Sequence, residues 1–199
     1  MNVFAKSILT ILIIILISET AFSQESGIYF GIHETCKLKD LPESFAVKAK
    51  EVLSETENPK NPAIIGYINA DAVDILDDLQ KDLVSEEIVL RTTHLLQIDK
   101  SSLLPVVAVK QRPAIIISDI KKTVPHETAV EIRFTMKGAK KFAAMTKNNV
   151  GKFAAFIIGD EIISLPLINA EIKHGVALIA GLADIETAKE ISESLNATL

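Results

Sequence analysis

The sequence predicts an α+β fold, a mixed or antiparallel sheet with hairpins and with helices packed against it. Three observations predict it. The segments 71–83 and 136–149 each carry apolar residues on a helical stripe with charge on the other side. Short runs rich in Val, Ile and Phe alternate with those helices. Gly159-Asp160 stands between two such runs, 153–158 and 161–165, as the signal of a two-residue hairpin. Tight hairpins join antiparallel strands, which sets the chain apart from a doubly wound parallel sheet.

In chain order, 27–33 (GIYFGIH) reads as a first strand. Leu41-Pro42-Glu43 breaks the chain, and 45–53, apolar on alternate residues for part of its length, is compatible with strand or helix. The run ETENPKNP at 55–62 is a polar loop, because its prolines deny both helix and ladder hydrogen bonds. A strand follows at 63–68. In 71–83, Val73, Leu76 and Leu83, with Ala72, Ile75 and Leu79 beside them, form the apolar stripe opposite Asp71, Asp74, Asp78 and Asp82. Residues 88–98 are strand-like with Arg91-Thr92-Thr93-His94 as an interruption, and 106–109 and 114–117 are short strands around Gln111-Arg112-Pro113.

From residue 129 the signals sharpen. Ala129–Phe134 is a strand, and Thr135 is placed to cap a helix over 136–149. Ala139, Phe142, Ala143 and Thr146 form its packed face, with Lys137, Lys140, Lys141 and Lys147 outside it. Gly151 suits the left-handed residue after a helix. Pro166 ends the hairpin, His174-Gly175 turns the chain, 176–180 is a strand, and Asp184 caps a last helix to about residue 195.

The amino terminus predicts export. Lys6 precedes an unbroken apolar run at 8–17, and Ala21-Phe22-Ser23 places small residues where a signal peptidase reads, so cleavage is expected after Ser23. The run is shorter than the roughly 20 residues of a membrane-spanning helix. Residues 1–23 are thus read as a cleavable signal peptide, the alternative being an anchor that is retained, with 24–105 an amino-terminal α+β half and 106–199 a carboxy-terminal α+β half. Localisation is expected to be periplasmic or secreted, with no membrane span after cleavage.

Removing residues 1–23 takes Lys6 and Glu19 together and leaves the net charge of −5 unchanged. Such a chain has no overall pull toward nucleic acid or an anionic membrane. With no Trp and only Tyr29 and Tyr67 as tyrosines, it lacks stacking platforms for sugars or single strands. One cysteine, Cys36, makes no internal disulfide.

A weak internal repeat is visible. Residues 63–69 and the acidic helix after them can be laid over 129–135 and the basic helix at a constant offset of 66, matching Leu76 to Phe142 and Leu79 to Met145. Either the halves are a degenerate tandem duplication, or two amphipathic strand–helix units align by pattern alone.

The stretch 138–181, GAKKFAAMTKNNVGKFAAFIIGDEIISLPLINAEIKHGVALIAG, carries a resemblance. Gly138-Ala139-Lys140, Asn149-Val150-Gly151-Lys152, Ile163-Ser164-Leu165-Pro166, Ile172-Lys173-His174-Gly175 and the closing Gly181 resemble the head of the first periplasmic domain of the SecD/SecDF protein-export family. Ser118-Asp119-Ile120 upstream and Glu186-Thr187-Ala188 in the last helix are similar to that pattern too. The likeness covers about 106–195 and leaves 24–105 unmatched. It departs from the family where Asp-Gly becomes Gly159-Asp160, where His174 replaces a glycine and where Leu165 replaces an alanine. The family's membrane helices have no counterpart in the apolar runs after residue 23.

No catalytic, cofactor or metal residue is assigned, and the chain is read as a non-enzyme. His33, His94, His126 and His174 lack paired metal spacing, and His33 with Cys36 falls short of the three or four ligands of a zinc site. Cys36 reads as a small buried or surface residue rather than a nucleophile. The site expectation rests on Ile163, Leu165, Pro166, Leu167 and Ile168. Pro166 removes a ladder donor and marks a sheet edge, where an extended peptide can add as a strand beside apolar side chains. The resemblance implies the same kind of partner, an exported polypeptide or an envelope protein complex. The alternatives are that these side chains are core, and that the protein is a structural or self-associating envelope protein.

Overall fold

The computed structural model describes residues 28–54, 61–93 and 103–199. The segment 8–17, the expected cleavage after Ser23, most of the loop at 55–62, and His94 with the strand expected on to 98 lie outside the described residues. Among the described residues no helix is long and apolar enough to cross a membrane.

The fold is α+β, as expected. In chain order the elements are β1 (Phe30–Cys36), α1 (Glu43–Val52), β2 (Ile64–Asn69), α2 (Ile75–Lys81), β3 (Ile88–Thr92), β4 (Leu103–Lys110), β5 (Ile115–Ile116), β6 (Ile120–His126), β7 (Ala129–Phe134), α3 (Met136–Asn148), β8 (Ala154–Ile158), β9 (Glu161–Ser164), β10 (Val176–Ile179) and α4 (Ile185–Thr198). They form a seven-stranded and a three-stranded sheet, and every strand pairing among the described residues is antiparallel.

β1 organises the larger sheet. One of its edges takes β8, with Phe30 opposite Ile158 and Glu34 opposite Ala154. Its other edge takes β5 and then β4. β4 in turn carries β3 on one edge and β2 on the other, since Val106 and Val107 pair with both. The sheet curls until its ends meet: the Thr93 hydroxyl donates to the Ile162 carbonyl at 2.6 Å, and Arg91 faces Asp160 at 3.6 Å.

The period of two sorts side chains among three cores. On β4, Leu104, Val106 and Ala108 point to a cluster under α1 and α2, while Val107 and Val109 point into the curl of the sheet. On β8, Ala154 and Phe156 join the cluster shared with the smaller sheet, while Ala155 and Ile157 join Val107 and Val109. That shared cluster also holds Phe142 and Met145 of α3, Val130 and Ile132 of β7, and Ala188 and Leu195 of α4. Each such Leu, Ile or Phe contributes about 1.5–3 kcal/mol by leaving water.

The undecided segment 45–53 is helix α1, because Phe45, Ala49 and Leu53, spaced by four, are all buried in the cluster it shares with α2. The helix expected over 71–83 is shorter. A 3-10 turn at Ala70–Ala72 comes first, where the Asn69 side chain accepts from the Asp71 N–H, and α2 begins only at Ile75. Strand β6 was not expected: Lys121, Lys122 and Pro125 obscure its apolar pattern, and it survives because it is an edge strand with one buried face. The aligned strands β2 and β7 lie in different surroundings, β2 at the rim of its sheet and β7 in the middle of the smaller one.

Candidate functional site

The expected site is built on the hairpin β8–β9. Gly159 adopts φ +60 and Asp160 does not join it in the left-handed region, the pattern of a type II′ turn with glycine first. Beyond β9 the chain keeps running beside the approach to β8. Ala154 N–H donates to Pro166 O at 3.0 Å, Ile168 N–H to Lys152 O at 2.8 Å and Gly151 N–H to Ile168 O at 2.8 Å. Phe153 and Leu167 therefore form a bridge whose own N–H and C=O groups point away from each other.

The five expected residues divide. Ile163 and Ile168 pack into the core shared by the two sheets, and Leu165 packs into the curl of the larger one. Pro166 is half-buried, and Leu167 is the exposed member at 44%. The structure brings the segment together as a ledge with one apolar side chain facing solvent. It contains no acid–base pair.

The α3 unit behind the ledge is well anchored. Thr135 caps α3 through the Gly138 N–H at 3.0 Å, as expected. Lys141, one of the four lysines placed outside the packed face, reaches the Asp119 carboxylate at 2.7 Å, and that carboxylate is buried.

Sequence reasoning missed a polar group on β1. The Tyr29 hydroxyl, His33, Arg91 and Asp160 converge where the two ends of the curled sheet meet. The alternate positions 29, 31 and 33 were a usable signal, since they share one face of β1 and the middle one is glycine. Near the other end of β1 an open cleft of about 410 Å³ is lined by Glu34, Asp40 and Glu86 against Lys37, Lys110 and Lys152. Cys36 lies at its wall, and burial pushes its thiol up, away from the reactive thiolate. Among the described residues no cluster of three metal-ligating side chains occurs.

Comparison with known proteins places the carboxy-terminal part. Residues 104–198 match the family model described as the SecDF P1 head subdomain. The protein translocase subunit SecDF of Thermus thermophilus is 40% identical over 63 residues, which are 32% of this chain and 9% of that protein. The protein translocase subunit SecD of Rickettsia bellii is 37% identical over 71 residues, 36% of this chain and 14% of that protein. SecD of Rhodobacter capsulatus is 29% identical over 170 residues, 84% of this chain and 26% of that protein. A structure of SecDF in a super-membrane-facing form aligns over 86% of this chain and 19% of its own, with a TM-score of 0.47 and 20% identity. Residues 104–198 thus resemble the SecDF P1 head subdomain, and the chain spans only 9% and 14% of the first two relatives.

Proposed function

We propose that this chain is a non-catalytic extracytoplasmic binding module, resembling a free-standing SecD head, that contacts exported polypeptides or the translocation machinery. The observation that carries the reading is the match of residues 104–198 to the SecDF P1 head subdomain, together with relatives named as protein translocase subunits. In this reading residues 106–199 form the binding half and 24–105 the half that braces it. The contact is made on the ledge at 163–168. Leu167 meets the partner with its side chain and with the backbone groups turned away from Phe153. Ile163, Leu165 and Ile168 hold the ledge from behind, and Pro166 docks the segment through its carbonyl on Ala154.

A photoreactive amino acid at position 167 tests it, with the same probe at Lys147 as a control on an exposed helix face. Mixed with an unfolded exported polypeptide, the full chain is expected to cross-link through position 167 and not through 147. No cross-link at 167, or equal cross-linking at both, would remove the ledge from the proposal.

A further inference from the structure

Six strands pair on one side only: β2, β3, β5, β9, β6 and β10. Five have a further partner beyond the ladder, β5 through Ile116 N–H, which donates to the Asp119 carboxylate at 3.2 Å. Gln80 closes β3, its side-chain amide donating to Ile88 O and accepting from Leu90 N–H, both at 2.7 Å. Asn196 closes β6 in the same manner, accepting from Thr123 N–H at 2.8 Å and donating to Thr123 O at 3.0 Å. Ser54 exchanges both backbone bonds with Tyr67 on β2, each at 2.9 Å, and Thr93 engages β9. Among the described residues β10 pairs with β7 alone. Its outward side chains are also apolar: Val176 is 38% exposed and Leu178 52%.

The ladder says which groups face the open side. Phe134 N–H donates to Gly175 O at 2.9 Å, and Val176 stands opposite Arg133. Antiparallel alternation then turns the N–H and C=O of Val176 and Leu178 away from β7. An edge with free backbone groups and exposed apolar residues is a template for another strand.

We propose that β10 pairs antiparallel with β10 of a second copy of this chain, about a two-fold axis at Ala177, joining the two three-stranded sheets into one of six strands. The strand is complementary to itself in this register. Val176 lies opposite Leu178 of the second copy and Leu178 opposite its Val176, so the outward backbone groups of both residues pair and two Val–Leu contacts form on one face. Centring the axis between residues instead would set outward side chains against inward ones and break that match. The flanks tolerate the dyad. His174 falls opposite Ala180 and Lys173 opposite Gly181, so no like charges oppose each other. The interface is separate from the ledge at 163–168, and its failure leaves the proposed function standing.

Sedimentation of the full chain across the micromolar range tests it, alongside Leu178→Lys and Val176→Pro. The proline removes an outward donor and spares the bonds to β7. A reversible monomer–dimer equilibrium is expected, weakened about tenfold or more in Leu178→Lys, because the symmetry applies each lost contact twice. Circular dichroism should show both variants folded. The double variant Val176→Cys/Leu178→Cys is expected to oxidise to a covalent dimer, because directly opposed residues approach to about 5.5 Å between Cα atoms. Val176→Cys alone should not, since it meets its own copy only diagonally. A monomer at every concentration, or self-association unchanged in both edge variants, overturns the proposal. So does a monomer that binds an extended peptide of alternating valines and loses it in Leu178→Lys, which would assign the edge to other polypeptides.

Discussion

The Tyr29 hydroxyl stands 2.6 Å from Nε2 of His33, and Nδ1 of the same ring stands 2.7 Å from the Lys110 carbonyl oxygen. A carbonyl only accepts, so Nδ1 carries a proton toward it, and in the neutral ring that burial favours Nε2 accepts from the Tyr29 hydroxyl. Gly31 makes the pair possible: a Cβ there would sit 2.6 Å from His33 Nε2 and 2.7 Å from the Tyr29 hydroxyl.

This arrangement makes stability depend on pH. His33 is 4% exposed. Burial holds its pKa below the usual imidazole value, and the Arg91 charge acts in the same direction against the opposing bond to Lys110. The folded protein therefore binds fewer protons at this site than the unfolded chain. The contribution is complete above the unfolded value of about 6.5 and is lost as pH falls from there through the folded value. Urea midpoints at about pH 7.5 and about pH 5 should fall further apart in the wild type than in His33→Gln, where nothing titrates. Equal differences would mean that the ring titrates without consequence.

Gly138→Ala should destabilise the fold although alanine is the better helix former. A Cβ at 138 would lie 2.2 Å from the Asp119 carbonyl oxygen, on backbone that also accepts from Thr135 N–H. Overpacking of this kind costs about 1–3 kcal/mol, more than the gain of roughly 1 kcal/mol in helix propensity. A raised melting temperature would contradict the contact.

Lys141→Met should cost more than a typical surface ion pair. The Asp119 side chain is 3% exposed and, among the described residues, would keep the 3.2 Å bond from Ile116 N–H. Lys141 itself is partly exposed, so solvent screening reduces the loss to about 1–2 kcal/mol. The double variant with Asp119→Asn should recover part of it in chemical denaturation.

Gln80→Ala should act on two readouts at once. It leaves Ile88 O and Leu90 N–H without their side-chain partner, a loss of about 1–3 kcal/mol. It also opens the edge of β3, so light scattering on mild heating should rise before the wild type does. Loss of stability without aggregation would mean that the edge is protected by other means.

The candidate ledge was legible in part. The hairpin ahead of Pro166 was legible because turn chemistry is local, whereas Pro166 turns its carbonyl, and with it the missing donor, toward Ala154 and not toward an open side. That Leu165 and Ile168 face inward while Leu167 faces out was not legible, since a run of four non-polar residues has no alternation to read. The Tyr29–His33 pair was missed for a different reason. Its third partner is a carbonyl 77 residues away, and no sequence spacing reports it.

What the sequence determined by itself is local. Thr135 and Asp184 cap their helices, Gly159 and Gly151 take positive φ, and the alternation within β7 selects its buried face. Each depends on groups within a few residues, where geometry follows from side-chain type. What only the tertiary structure decided is which edges are engaged. Gln80 and Asn196 are ordinary polar residues on helices until packing carries their amides to β3 and β6, and β10 keeps β7 as its single strand partner among the described residues. Edge pairing is a contact between distant segments, so its presence or absence is settled by packing and not by propensity.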